Sequence, residues 1–270
     1  MKIDNSVAIV TGAGGGIGAA LCRRLVENGA RVVATDLDGE RLDKEVAAIR
    51  ADHPDAIVGI AGDCSATDHI RASIELAESS FGPVDLYAAN AGVGGLGENL
   101  DSTEEDWQTS IDVNLMAHVR AAKLLVPGWI ERGSGHFLST ASAAGLLTQI
   151  GSATYSATKH AAVAFAEWLS VTYGDRGVGV SCLCPMGVNT NMLNSGATSD
   201  SEIARKSAKA VTEAGMVLEP LEVADMVIEA LGTDRFLILP HPDVLEFFRR
   251  KASDYDRWLR GMRRYQESLA

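Results

Sequence analysis

The chain has 270 residues, of which 46% are hydrophobic and 22% charged, a length and balance that suit one large α/β domain and exclude a disordered or fibrous protein. Its formal net charge of −12 argues against nucleic acid as a partner, and no apolar run reaches the roughly 18 residues of a membrane span. The four cysteines Cys22, Cys64, Cys182 and Cys184 lack zinc-site spacing and read as buried reduced thiols, and no signal-peptide pattern opens the chain. A cytoplasmic protein with no metal is therefore expected.

Val7 to Val10 form an apolar run. The glycine stretch Gly12-Ala13-Gly14-Gly15-Gly16-Ile17-Gly18 follows, and then Ala19, Leu21, Leu25 and Val26 at helical spacing. Strand, glycine turn and helix thus succeed one another, and a second strand, Arg31 to Thr35, carries Asp36 at its carboxyl end. The alternation continues with helices over about 40–51 and 67–80 and strands over 56–61 and 84–88. Asn90-Ala91-Gly92 and a glycine-rich loop come next. Ser102 and Glu105 have the spacing of a capping box that opens a long helix toward Leu125. A strand at 136–139, a helix at 152–173 and a strand at 178–184 follow.

Residues 186–218, rich in Asn, Ser, Thr and Gly, read as a lid with a helical pattern near Ile203 to Val211. A helix at 221–231 and a strand at 236–239 complete a domain over 1–240. Residues 241–270 form a helical extension that holds five of the fifteen aromatics and seven basic against five acidic residues. One long helix from Pro242 is expected there, packed on this domain or on a neighbouring subunit in preference to a membrane surface. Short strands apolar on both faces and alternating with helices predict a doubly wound Rossmann α/β fold with a seven-stranded, mainly parallel sheet. Ligands then gather outside the carboxyl ends of the strands, where the Gly12 loop, Asp36, Asn90, Ser142 and Pro185 all fall.

Tyr155 and Lys159 share one helix face. A phenol with an ordinary pKa near ~10 beside a fixed cation is a proton-transfer device, because the cation favours the phenolate. The glycine turn, placed between a strand and a helix N-terminus, makes an anion cradle suited to a pyrophosphate. Asp36 stands where a dinucleotide site needs an acceptor for ribose hydroxyls, and its charge would repel a 2′-phosphate, so NAD is favoured over NADP.

The glycine stretch, Asn90-Ala91-Gly92, Asn114, Ser142 and Tyr155-x-x-x-Lys159 together resemble the short-chain dehydrogenase/reductase family in its compact single-domain form, from about Val7 to Leu239. The resemblance implies that Tyr155 is the acid/base, that Ser142 holds the substrate oxygen, and that Lys159 lowers the tyrosine pKa and binds the nicotinamide ribose. It makes Asn114 the holder of a water linked to Lys159. It assigns cofactor contacts to Gly12, Gly14, Gly15, Gly16, Ile17, Gly18, Asp36, Leu37, Asp63, Cys64, Asn90, Ala91, Gly92, Tyr155, Lys159, Pro185, Gly187, Val188 and Thr190. Ala89 stands where many members have asparagine, and Met186 replaces a common glycine. A homotetramer packed through the helices that carry Asn114 and Tyr155 is also implied.

The substrate is expected to meet Ser142, Leu147, Gln149, Tyr155, Met186 and Met192. These are mostly apolar, and no cluster of basic residues accompanies them, so a secondary alcohol or ketone with apolar flanks is favoured over a phosphorylated compound. The expected activity is an NAD-dependent alcohol dehydrogenase or ketone reductase. An NADP-dependent carbonyl reductase is disfavoured by Asp36. A catalytically silent dinucleotide-binding sensor or scaffold is disfavoured by the retention of Ser142, Tyr155 and Lys159.

Overall fold

The computed structural model describes residues 1–94 and 99–269, so part of the glycine-rich loop expected after Gly92 lies outside the described residues. The strands are β1 (Val7–Thr11), β2 (Arg31–Asp36), β3 (Ile57–Ala61), β4 (Leu86–Ala89), β5 (Gly135–Thr140), β6 (Val178–Leu183) and β7 (Leu237–Ile238). They form one sheet in the order β3-β2-β1-β4-β5-β6-β7, with every neighbouring pair parallel. Parallel neighbours require crossovers, which the helices supply. The chain winds outward from β1 to β3 and then returns to place β4 on the other side of β1, so the crevice lies between β1 and β4.

The helices are α1 (Gly16–Glu27), α2 (Gly39–Arg50), α3 (Thr67–Ser80), α4 (Glu104–Ile111), α5 (Ala117–Arg132), α6 (Ala144–Leu147), α7 (Ala153–Tyr173), α8 (Asn191–Ala197), α9 (Glu202–Glu213), α10 (Pro220–Gly232), α11 (Asp243–Ser253) and α12 (Tyr255–Ser268). Side chains alternate across β1 because a strand has period two. Ala8 and Val10 share a core with Leu21 and Leu25 of α1 and Val227 of α10. Val7 and Ile9 share the opposite core with Ile70 of α3, Trp129 of α5 and Ala162 of α7. Burying each large apolar side chain contributes about 1.5–3 kcal/mol. Trp129 also satisfies its one polar atom, donating from Nε1 to the Val84 carbonyl at 2.8 Å.

Several local expectations shift. The capping box is formed by Thr103 and Asp106, one residue beyond Ser102 and Glu105: the Thr103 hydroxyl accepts from the Asp106 amide at 3.1 Å, and the Asp106 carboxylate accepts from the Thr103 amide at 2.8 Å. Between α4 and α5 the helix widens into a π turn, Asp112–Met116, centred on Asn114. The single C-terminal helix is two helices, broken at Asp254, whose backbone is extended and whose carboxylate accepts from the Arg257 amide at 2.9 Å to cap α12.

Candidate active site

The glycine turn leaves β1 through Gly12, at φ 68°, and enters α1 through Gly16, at φ 53°. Both angles favour a residue without a Cβ. Gly18 is required for a different reason, since a Cβ there would stand 2.0 Å from the Gly12 carbonyl oxygen. Asn90 and Ala91 are strapped to this turn. Their amides both donate to the Thr11 hydroxyl at 2.9 Å, and Asn90 Nδ2 donates to the Thr11 carbonyl at 2.9 Å. The role of Asn90 is therefore to hold β4 against β1 at the mouth of the crevice.

Asp36 closes the far side. Its carboxylate accepts from the Gly14 amide at 2.9 Å and from the Asp38 amide at 3.0 Å. Capping of α2 falls to Asp38, which accepts from the Arg41 amide at 3.1 Å, and Asp36 is left facing the crevice. Arg41 lines the same end of the cavity. Sequence reasoning missed it, although its place one turn into the helix after β2 puts it beside Asp36.

The catalytic candidates converge at the other end. Tyr155 lies in the first turn of α7, and Lys159 Nζ sits 5.6 Å from the centre of its ring, donating to the Thr140 carbonyl at 2.9 Å. Ser142, just beyond β5, accepts from the Ala144 amide at 3.1 Å and donates to the Pro185 carbonyl at 3.4 Å, and it shares the cavity wall with Tyr155. Burial raises the phenol above its ordinary value, with the neighbouring Ser142 hydroxyl acting against it. Burial also draws Lys159 down to about 8. The net direction for the tyrosine is therefore upward rather than the expected depression, with desolvation as its largest cause.

The Asn114 side chain is tied to protein partners on both its oxygen and its nitrogen. Its Oδ1 accepts from the Val93 amide at 2.9 Å, and its Nδ2 donates to the Val93 carbonyl at 2.9 Å and to the Thr158 hydroxyl at 3.1 Å. The side chain thereby joins the strand end after β4 to α7, and Thr158 is a second residue that sequence reasoning missed. Its position one helical turn beyond Thr154, on the buried face of α7, was the available signal. A Cβ on Gly92 would stand 3.2 Å from Asn114 Oδ1 and 3.3 Å from Lys159 Nζ. The glycine keeps that space open.

One cavity of about 620 Å³ connects the two ends. Gly12, Gly14, Gly15, Gly16, Ile17, Asp36, Asn90, Ala91, Gly92, Ser142, Tyr155, Lys159, Pro185, Val188 and Thr190 line it, as do Gln149, Met186 and Met192 from the substrate set. Leu147 does not: it is buried in the core below α6. Leu37 is exposed, and neither Asp63, whose carboxylate accepts from the Ser65 amide at 2.8 Å, nor Cys64 lines the cavity. Gly187 turns its carbonyl to His241 Nε2 at 3.0 Å. Gln149 lines the wall but spends its amide on α9, donating to the Ser207 hydroxyl at 3.1 Å and the Ser207 carbonyl at 3.2 Å.

Residues 6–200 match the family model described as short chain dehydrogenase. The chain belongs to the short-chain dehydrogenase family. Among curated members, 1-deoxy-11-beta-hydroxypentalenate dehydrogenase of Streptomyces exfoliatus is 34% identical over 90% of this chain and 86% of its own. Cyclohexanol dehydrogenase of an Acinetobacter species is 31% identical over 86% and 90%. A short-chain dehydrogenase/reductase from Burkholderia phymatum, solved in complex with NAD, superposes with a TM-score of 0.86 at 30% identity, covering 95% of this chain and 96% of that one. This short-chain dehydrogenase is accordingly an oxidoreductase. Among the described residues no helix is long and apolar enough to cross a membrane.

The chain also fits the nicotinamide dinucleotide of its family on its own features. A Cβ on Gly15 would meet nothing within 4 Å, so the turn presents bare backbone to the cavity. Thr140 Oγ1 and Ser152 Oγ, both buried without a hydrogen-bond partner among the described residues, belong to residues of the cavity wall. Unsatisfied buried hydroxyls are uncommon and mark where a bound group or water completes the bonding.

Proposed function

We propose that this oxidoreductase interconverts a secondary alcohol with apolar flanks and its ketone, using NAD(H). The observation that carries the reading is the convergence of Ser142, Tyr155 and Lys159 on one cavity whose opposite end is closed by Asp36. Gly12, Gly14, Gly15, Gly16, Asn90, Ala91, Gly92, Val188 and Thr190 would hold the dinucleotide, with Asp36 accepting from its adenosine ribose. When bound, the cofactor supplies the hydride acceptor for oxidation or the hydride donor for reduction.

The chain's own residues manage the proton and the orientation. The Ser142 hydroxyl offers a hydrogen bond to the substrate oxygen, and Tyr155 Oη takes the hydroxyl proton in oxidation and returns one in reduction. Lys159 supplies positive charge that favours phenolate as the proton leaves. Asn114 holds Val93 and Thr158 and so fixes the floor under Tyr155 and Lys159. Met186, Met192, Leu193 and Val211 give the substrate end an apolar wall without a cluster of cations. Relatives named for cyclohexanol and for a hydroxypentalenate support an alcohol as the substrate.

NAD is favoured by the Asp36 carboxylate, whose charge would oppose a 2′-phosphate, and the NAD complex of the Burkholderia relative agrees with it. The domain limits of 1–240 with a lid over 186–218, a cytoplasmic setting and a homotetramer complete the proposal. The exposed Trp168 and Val171 on α7, 52% and 87% accessible, support a subunit interface there. The test is to supply cyclic and open-chain secondary alcohols with NAD or NADP and to follow reduced cofactor. Turnover of alcohols with NAD is expected. Turnover confined to sugar phosphates, or a preference for NADP, would overturn the reading.

A further inference from the structure

Three ties run from the C-terminal segment to three different walls of the substrate cavity. At its start, His241 Nδ1 accepts from the Met186 amide at 3.1 Å, and Nε2 donates to the Gly187 carbonyl at 3.0 Å. In α11, Lys251 Nζ donates to the Leu146 carbonyl at 2.6 Å, at the end of α6, and lies 3.4 Å from His160 Nε2 on α7. In α12, Tyr265 Oη donates to the Ala210 carbonyl of the lid helix α9 at 2.9 Å. The segment therefore touches Met186, the loop that carries Ser142, and the lid.

Lys251 is the exceptional member. It is 5% exposed, although lysine is almost never fully buried unless paired, and no carboxylate faces it among the ion pairs of the described residues. Its ammonium is instead divided among the Leu146 carbonyl, the His160 ring and the face of Tyr255, whose ring centre lies 5.3 Å away. The Ser156 carbonyl, 2.8 Å from His160 Nδ1, can only accept, so Nδ1 carries its proton and Nε2 turns a lone pair toward Lys251. The Leu146 carbonyl belongs to the last turn of α6, where a backbone acceptor lacks a helical partner and a cation is favoured. A buried cation placed on a substrate-loop carbonyl fixes that loop more firmly than a neutral contact would.

We infer that the C-terminal extension is a frame that sets the size of the substrate cavity, with Lys251 as a positioning residue acting through Leu146 and with Tyr265 holding the lid to the same frame. The inference rests on the proposed alcohol site. It predicts that loosening the frame alters discrimination between small and bulky alcohols while leaving the cofactor end alone.

The experiment compares Lys251→Met, Lys251→Arg and Tyr265→Phe with wild type. The probes are cyclohexanol and a fused two-ring secondary alcohol, and NADH affinity is read by fluorescence. Loss of one buried charge-assisted hydrogen bond corresponds to roughly tenfold or more. Lys251→Met is therefore expected to change the ratio of kcat/KM for the two alcohols by about tenfold, chiefly through KM, with NADH affinity unchanged. Lys251→Arg should restore much of the ratio, and Tyr265→Phe should shift it in the same direction. An unchanged ratio in either Lys251→Met or Tyr265→Phe would overturn the frame, as would equal losses for both alcohols together with weakened NADH binding. Amide hydrogen exchange supplies a readout that needs no substrate. Residues 143–149 should exchange about tenfold faster in Lys251→Met, and α9 should exchange faster in Tyr265→Phe, with β1 and α1 unaffected. If wild type turned over no alcohol yet these exchange changes appeared, the substrate reading would fall and the frame would stand. If Lys251→Met did not fold, the Tyr265→Phe results would decide.

Discussion

Lys159 Nζ stands 5.6 Å from the ring centre of Tyr155 and anchors itself on the Thr140 carbonyl at 2.9 Å. The lysine is thus held by β5 while it faces a tyrosine on its own helix, and the pair is fixed from two directions. Burial acts oppositely on the two groups, raising the phenol and drawing the ammonium down to about 8. Alcohol oxidation needs the tyrosine to accept a proton, so kcat/KM for oxidation should rise as pH increases from neutral into the alkaline range. A pH–rate profile that is flat or falls across that range would contradict this assignment.

Asp36 should decide the cofactor. Replacing it by Ala removes the charge beside the Gly14 amide, and the preference for NAD over NADP should fall by about tenfold or more, the equivalent of one charged hydrogen bond and the repulsion it exerts. Thermal shift with each dinucleotide reads the change, since a ligand that binds only the native state raises its apparent stability. An unaltered preference would exclude Asp36 from discrimination and direct attention to Arg41.

Gly18→Ala should be costly. Its Cβ would lie 2.0 Å from the Gly12 carbonyl oxygen and 2.8 Å from Asn90 Nδ2, so the turn must move. Overpacking of this kind costs about 1–3 kcal/mol. A lowered Tm with a larger proportional loss of NADH affinity is expected; a variant with both properties intact would show that the turn tolerates displacement.

Stability should fall on acidification above the range in which carboxylates titrate. Burial lowers His118 to about 3 and His136 to about 4, against an unfolded value near ~6.5. Between these values the unfolded chain binds more protons. The stabilisation is complete above about pH 6.5 and is lost as pH falls toward 4, at up to roughly 1.4 kcal/mol per pH unit for each histidine. His136→Gln, which keeps a side-chain donor for the Ser181 hydroxyl, should flatten the slope of Tm against pH between neutrality and pH ~5; a slope equal to that of wild type would remove His136 from the account.

The exposed Trp168 and Val171 should lie in a subunit contact. Light scattering on wild type should give a tetramer, and Trp168→Glu should shift it to a smaller species by burying an unpaired charge. A monomeric wild type would contradict the assembly.

What could be read before the structure was local in character. The glycine turn, Asp36 and the Tyr155–Lys159 face each follow from spacings within one element or one βα unit, where period and turn chemistry suffice. The parallel sheet followed from strands apolar on both faces. Relationships between distant segments were not legible. Thr158 meets Asn114 across 44 residues of sequence, Gln149 meets Ser207 across 58, and Lys251 meets Leu146 across 105, and no periodicity encodes such pairings. Leu147 was expected in the substrate wall because it is apolar and close to Ser142. The same apolarity takes it into the core, since only the turn of α6 decides which face it shows. The break at Asp254 was hidden because the apolar spacing of α11 continues into α12, and a single capping carboxylate ends one register and begins the next.

The central claim is that Tyr155 moves the proton. The most direct measurement is turnover of a secondary alcohol with NAD by Tyr155→Phe beside wild type, with NADH affinity determined for both. The phenyl ring keeps the cation contact with Lys159 but has no proton acceptor. Positioned acid–base groups contribute about 10²–10⁴ in rate, so kcat should fall by at least about a hundredfold while NADH affinity stays within about twofold, a few tenths of a kcal/mol. Undiminished turnover in Tyr155→Phe would contradict the account.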